Sequence, residues 1–182
     1  MHAFLRTSAF VASVLITSTF AWSASPGYVD FGQFSPAAGQ QFVEVELDGA
    51  LLKLAAVVAE KENPEIGRLI RDLERVRVNV LGLNDQTRAS TTERVNAVRQ
   101  SLDQQGWKRV VTVKEHEGDD VAVFLKQGAE DAIEGIVVTV IGRSNEAVLV
   151  NIVGNVRIEQ LAEIGERLDL APLRELNIAK AH

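Results

Sequence analysis

Two aliphatic runs, Ile136 to Ile141 and Ala147 to Val153, lie five residues apart near the C-terminal end of a 182-residue chain. Only Thr139 interrupts the first and Asn151 the second. Val and Ile lose little in an extended chain and pack well on a pleated surface, so both runs read as strands. Their two faces are apolar alike, which predicts strands that are central in a sheet or covered on both sides. Between them, Asn145 can adopt the positive φ that a primed hairpin turn needs. A two-residue loop Ser144-Asn145 would set Arg143 opposite Glu146, although other registers fit the same sequence. Val138, Val140, Val150 and Ile152 are expected to form the centre of the fold and not a binding site.

The second run leads into Gly154-Asn155. Asn155 is the expected N-cap of a helix that presents Ile158, Leu161, Ile164 and Leu168 on one face. Asp169 to Ala171 should end it, and Pro172 should start a short turn with Leu173 and Leu176. Asn151 is expected to bond a neighbouring strand or loop, because buried polar groups are normally satisfied.

Upstream, Ala24 to Phe34 carries Tyr28, Phe31 and Phe34, and reads as a lead segment docked by its aromatics. Ser35 to Gly39 is a short linker. Gln41 to Leu47 alternates Val43, Val45 and Leu47 with Glu44 and Glu46, as a half-exposed strand does. Asp48 or Gly49 opens a helix to about Glu62, expected to bury Leu51, Leu52, Leu54, Ala55 and Val58. Asn63 caps the next helix and Pro64 takes its first position, with Ile66, Leu69, Ile70 and Leu73 as the buried stripe. Arg68, Arg71 and Arg75 are interspersed with Glu65, Asp72 and Glu74, which describes a solvated face. Arg75 to Leu83 is the next strand, with Val76, Val78 and Val80 inward and Arg77 and Asn79 outward. Ser90-Thr91-Thr92-Glu93 has the form of a capping box, and the helix behind it carries Val95, Val98 and Leu102. Lys108 to Glu115 and Val121 to Lys126 form a hairpin, and Gln127 to Glu134 leads back to the first aliphatic run.

Met1 to Ser23 has the layout of a secretory signal. Arg6 gives the charged start, Ala9 to Phe20 the apolar stretch, and Ala21-Trp22-Ser23 the small residues before a cut near Ser23 or Ala24. The apolar stretch falls short of the roughly 20 residues a membrane span needs. Removing it leaves about 159 residues, a size that suits one domain. Arg6 is the only charged residue lost, so 18 basic residues face 25 acidic ones. That excess argues against nucleic acid or an anionic membrane as partner. The chain contains no Cys, which excludes disulfides, thiolate chemistry and Cys-based metal sites. It also excludes a lipid-bearing Cys after the signal, so the exported product should be soluble.

The usual chemical motifs are missing. After the signal only His116 and His182 could serve a Ser-His-Asp set. There is no phosphate-binding Gly-rich loop and no dinucleotide fingerprint. His116 stands in the acidic turn His116-Glu117-Gly118-Asp119-Asp120, whose spacing matches neither a zinc nor an EF-hand pattern. Glu44 and Glu46 share a strand face but have no His beside them. The sequence thus offers no catalytic, cofactor-binding or metal-ligating residue and implies no cofactor.

Four segments together resemble an exported bacterial family catalogued as domain of unknown function 4252. They are Gly27-Tyr28-Val29-Asp30-Phe31-Gly32, Val76-Arg77-Val78-Asn79-Val80, Gly106-Trp107 and Val150-Asn151-Ile152-Val153-Gly154-Asn155. The likeness covers nearly all of the mature chain. It implies no reaction, cofactor or catalytic residue. Many relatives are lipoproteins, from which this Cys-free chain departs, and some lie beside alternative sigma factors, which implies a link to envelope stress.

The expected architecture is an α+β two-layer sandwich, a largely antiparallel sheet with helices packed on one face. Residues 1–23 would be the signal, 24–40 the lead segment, 41–171 one domain and 172–182 a tail. Part of the all-apolar hairpin surface would need a partner to cover it. The expected function is a non-catalytic periplasmic or secreted binding module, its partner a protein or an unidentified small ligand. A carboxylate-based hydrolase and a carrier of small apolar ligands are the alternatives.

Overall fold

A computed structural model describes residues 25–34, 39–115, 118–129 and 132–157. The signal segment, His116, the stretch from Ile158 onward and the C-terminal tail lie outside the described residues.

The elements run β1 (Phe42–Asp48), α1 (Gly49–Glu62), α2 (Pro64–Arg71), β2 (Leu73–Gly82), α3 (Arg88–Gln104), β3 (Lys108–Lys114), β4 (Asp120–Gln127), β5 (Ala132–Ile141) and β6 (Glu146–Arg157). All six strands form one antiparallel sheet in the order β1-β2-β6-β5-β4-β3. The fold is the expected α+β class with an antiparallel sheet, and the β5–β6 hairpin occupies its middle, but the helices do not share one face: α3 packs on one side of the sheet and α2 on the other. Three consecutive hairpins explain the neighbours β3, β4, β5 and β6. β1 pairs with β2 across the α1–α2 connection, and β2 pairs with β6 although α3, β3, β4 and β5 lie between them in the chain.

The β5–β6 turn uses the alternative register. Gly142 N–H donates to Glu146 O at 2.7 Å and Ile141 pairs with Ala147, so Arg143, Ser144 and Asn145 form a three-residue loop. Asn145 sits at φ 59°, the left-handed position such a loop requires. Arg143 therefore faces Asp119 rather than Glu146, its N–H donating to Asp119 Oδ1 at 2.9 Å.

Helix starts follow local capping. Asp48 Oδ1 accepts from Ala50 N–H, and Asn63 Oδ1 accepts from Glu65 and Ile66 N–H ahead of Pro64. The α3 start differs from the expectation. Asn84 Oδ1 accepts from Gln86 and Thr87 N–H, so the chain turns helical at Arg88 and Ser90 lies inside the first turn. Asn155 is no cap either. β6 continues through it to Arg157, and its N–H donates to Asp72 O at 3.0 Å.

Successive side chains of a strand point to opposite faces, and the two faces carry separate clusters. On one, Val95 and Leu102 of α3 meet Phe124, Val137, Leu149, Trp107, Phe31 and Phe34. On the other, Val111, Val123, Leu125, Ile133, Ile136 and Val156 meet Leu69 of α2. β2 is inverted relative to the sequence reading. Asn79 is buried and Arg77 is largely covered, because their face lies on the α3 side; Val76, Val78 and Val80 are partly exposed. Arg99 of α3, unremarked in the sequence, is buried; its Nε donates to Thr139 Oγ1 at 2.9 Å and its Nη1 to Asp120 Oδ1 at 2.7 Å. It joins the helix to two strands with a charge-assisted bond.

Candidate functional surface

The lead segment docks as expected, and Asn151 is what holds it. Asn151 Oδ1 accepts from Val29 N–H at 2.9 Å, while Nδ2 donates to Gly27 O at 2.9 Å and to Ile136 O at 3.2 Å. A Cβ on Gly135 would meet Gly27 Cα and Trp107 Cη2 at 2.6 Å, so the two glycines let one backbone cross the other. Phe31 and Phe34 are buried beyond the crossing, and the guanidiniums of Arg75 and Arg94 lie over Tyr28 and Phe34. These residues have a structural task.

Glu44 and Glu46 do share a face, but each meets an arginine. Arg77 Nη2 stands 2.7 Å from Glu44 Oε1, and Arg75 Nε 3.6 Å from Glu46 Oε1. Hydrogen bonding from Arg77 holds the Glu44 carboxyl below its ordinary range. The Asn79 amide lies beside it and adds to the effect, though neither polar atom of Asn79 completes a hydrogen bond. Among the described residues no group of three or more His, Cys, Asp or Glu could hold a metal ion. No described helix is long and apolar enough to cross a membrane.

Helix α1 departs most from expectation. It buries Leu52 and Ala56, at 3% and 0% exposure. Its buried side meets α2 closely: a Cβ on Gly67 would lie 2.9 Å from Glu60 Cα, and Arg71 pairs with Glu60. The residues expected to be buried are largely outside. Leu51, Leu54 and Val58 are 49%, 64% and 58% exposed, and Val57, for which no burial was expected, is 50% exposed. At 3.6 residues per turn they span roughly 120° of the helix, opposite the buried side. The helix is apolar on two sides and the domain uses one. Lys53 and Lys61 stand exposed beside this stripe, and neither takes part in an ion pair among the described residues.

The sheet face opposite α3 is also aliphatic across its width, and part of it is only half-buried. Cross-strand pairing aligns Val45, Val78, Val150, Val138 and Val123 in one row over five strands. A second row runs Val43, Val80, Val148, Val140 and Val121. Val43 and Val45 are 38% and 41% exposed, and the β2, β5 and β6 members are only partly buried. The centre of the fold is therefore the other face, through Val137, Thr139, Leu149 and Asn151, not Val138, Val140, Val150 and Ile152.

The family model described as "Domain of unknown function (DUF4252)" matches residues 37–164, and the chain belongs to that family. No curated protein and no solved structure matches it. The segments that carried the resemblance converge in space. Gly27 and Val29 meet Asn151, and Trp107 closes the crossing at Gly135.

Proposed function

We propose that this chain is an exported, non-catalytic interaction module that docks a partner protein on the outer stripe of α1. The observation that carries the reading is the exposure of Leu51, Leu54, Val57 and Val58 on one side of a helix whose other side is packed. Large contiguous apolar patches are rare on the surface of monomeric proteins and mark interaction sites. A helix side is convex, so it fits a groove on another protein, in the manner of an amphipathic helix in an apolar groove. Lys53 and Lys61, exposed and without an ion pair among the described residues, favour a groove rimmed with carboxylates.

The carboxylate-hydrolase alternative finds less support. A general acid needs a raised pKa, whereas Arg77 pulls Glu44 the opposite way. Export rests on the order of charge, apolar stretch and small residues in Met1 to Ser23. A periplasmic site and a link to envelope stress rest on the resemblance to exported relatives.

A photocrosslinking side chain at Leu54, and another at exposed Arg143 as control, would test the docking in producing cells. One adduct of discrete mass should form from Leu54 only and vanish when Val58→Asp is added. Equal adducts from both positions, or none from Leu54, would refute the reading. Mass spectrometry of the exported chain should show loss of residues up to about Ser23; an intact Met1 would refute export.

A further inference from the structure

We infer that the outer edge of β1 takes up an extended segment of another protein as an added strand, one whose side chains alternate between aliphatic and basic. β1 ends the sheet, with β2 on one side and no strand on the other among the described residues. Its seven residues pair with β2 without a register shift, and none is Pro. Gly82 N–H donates to Gln41 O at 2.8 Å, which makes these two a bonded pair. Bonded and non-bonded pairs alternate along an antiparallel ladder. Val43, Val45 and Leu47 therefore turn their backbone groups to β2, and Phe42, Glu44 and Glu46 turn theirs away from the sheet. Val43, Glu44, Val45 and Glu46 are all exposed, so this row is open to a strand. Edge strands usually carry a device against such pairing, lysines and bulges among them. The opposite edge has both: β3 carries Lys108 and Lys114, and a bulge breaks its ladder between Arg109 and Val111. β1 has neither.

The alternation along β1 sets what fits. Val43 and Val45 lie toward one face of the sheet, Glu44 and Glu46 toward the other. Arg77 and Arg75 reach the carboxylates from the β2 side only, and the Glu44 and Glu46 side chains keep 39% and 49% exposure. A carboxylate accepts several hydrogen bonds, so a Lys or Arg on the far side completes a row of alternating charge. Aliphatic side chains beside Val43 and Val45 remove apolar area from water. A second copy of this chain is the wrong occupant. Two β1 edges paired antiparallel with their sheet faces aligned set Glu44 opposite Glu46 when centred on Val45. Centred on Glu44 or on Glu46, they set that residue opposite itself. Like charges directly opposite destabilise a strand pair, and opposite charges stabilise it. Main-chain bonds at Phe42, Glu44 and Glu46 thus supply the attachment and the alternation supplies the selectivity, as in strand addition generally. β1 and the outer stripe of α1 are different elements, so this edge requires nothing of the helix.

Amide hydrogen exchange on the full-length protein, with a short synthetic peptide of alternating Val and Lys as probe, tests the edge directly. Without peptide, Glu44 and Glu46 N–H should exchange fast while Val43 and Val45 N–H are protected. The peptide should slow exchange at Glu44 and Glu46 several-fold. The same peptide methylated on every backbone nitrogen keeps its charge but has no main-chain donors, and should slow neither. A peptide of alternating Val and Glu should also slow neither. Glu46→Lys should weaken the effect of the Val and Lys peptide at Glu44 N–H, and Leu54→Asp should leave it as in the parent. No slowing by the Val and Lys peptide, or equal slowing by its methylated form, would overturn the inference. Protection of Glu44 and Glu46 N–H before any peptide is added would overturn it too, by showing that the chain itself or a second copy already covers the edge. Loss of the effect in Leu54→Asp would place the peptide on the helix and overturn it as well.

Discussion

Asn151 stands in for a strand partner to Val29. Its side-chain oxygen takes the Val29 N–H at 2.9 Å, and its amide nitrogen returns a bond to Gly27 O. One buried side chain thereby satisfies two backbone groups of a segment 122 and 124 residues distant in sequence. The lead segment has no strand among the described residues, and that amide joins its buried aromatics and arginine contacts in tying it to the fold. Removing a partner from buried polar groups costs about 1–3 kcal/mol per group left unpaired. Asn151→Leu is expected to lower stability by at least about 2 kcal/mol in urea melts and to strip hydrogen-exchange protection from Val29 N–H. Retained protection there would mean that the aromatics alone dock the segment.

Glu44 provides a pH handle. Its folded pKa is depressed by the Arg77 hydrogen bond from a reference of 4.5. A depressed carboxyl stabilises the fold at pH above the unfolded value and loses that contribution as pH falls through the folded value. Carbon-detected titration should place Glu44 below 4.5, and Arg77→Met should return it toward that value. The parent should lose more stability than Glu44→Gln as pH drops below about 4.5. Parallel acid curves for the two proteins would contradict the assignment.

Asn79 is the opposite case. It is 1% exposed, and neither amide atom finds a partner. Its cross-strand neighbours are Glu44 and Leu149. A buried amide with no hydrogen bond costs about 1–3 kcal/mol, so Asn79→Leu should raise the urea midpoint by an amount equivalent to about 1 kcal/mol. A lower midpoint would show that the amide is satisfied by a group such as ordered water.

Much of this fold could be read from the residues, and the failures have identifiable causes. Asn63-Pro64 and Asp48 signal helix starts by local chemistry, and both hold. The aliphatic runs of β5 and β6 announce strands in the same way. What spacing cannot convey is which face of an element the rest of the chain covers. β2 alternates valines with Arg77 and Asn79, and polarity suggested the wrong inward face, because the lead segment and α3 cover the polar one. Gly154 invites a turn after Val153, yet a bulge there lets β6 run on past Asn155. Arg99 has no local signal, since its partners Thr139 and Asp120 lie on other strands. The α1 stripe was visible as apolar spacing, but its exposure was not. Leu52 and Ala56 compete with Leu51, Leu54 and Val58 for the buried side, and spacing alone does not choose between them.

The most direct test of the central claim is the urea midpoint of Leu54→Asp, read together with partner crosslinking from a probe at Leu51. Exposed positions outside the core normally shift stability by no more than about 0.5 kcal/mol, whereas a charge forced into a packed interior costs several times that. The midpoint should stay unchanged and the Leu51 adduct should be lost. A midpoint that falls sharply would show that the stripe is core, and an adduct that survives Leu54→Asp would show that the partner docks elsewhere.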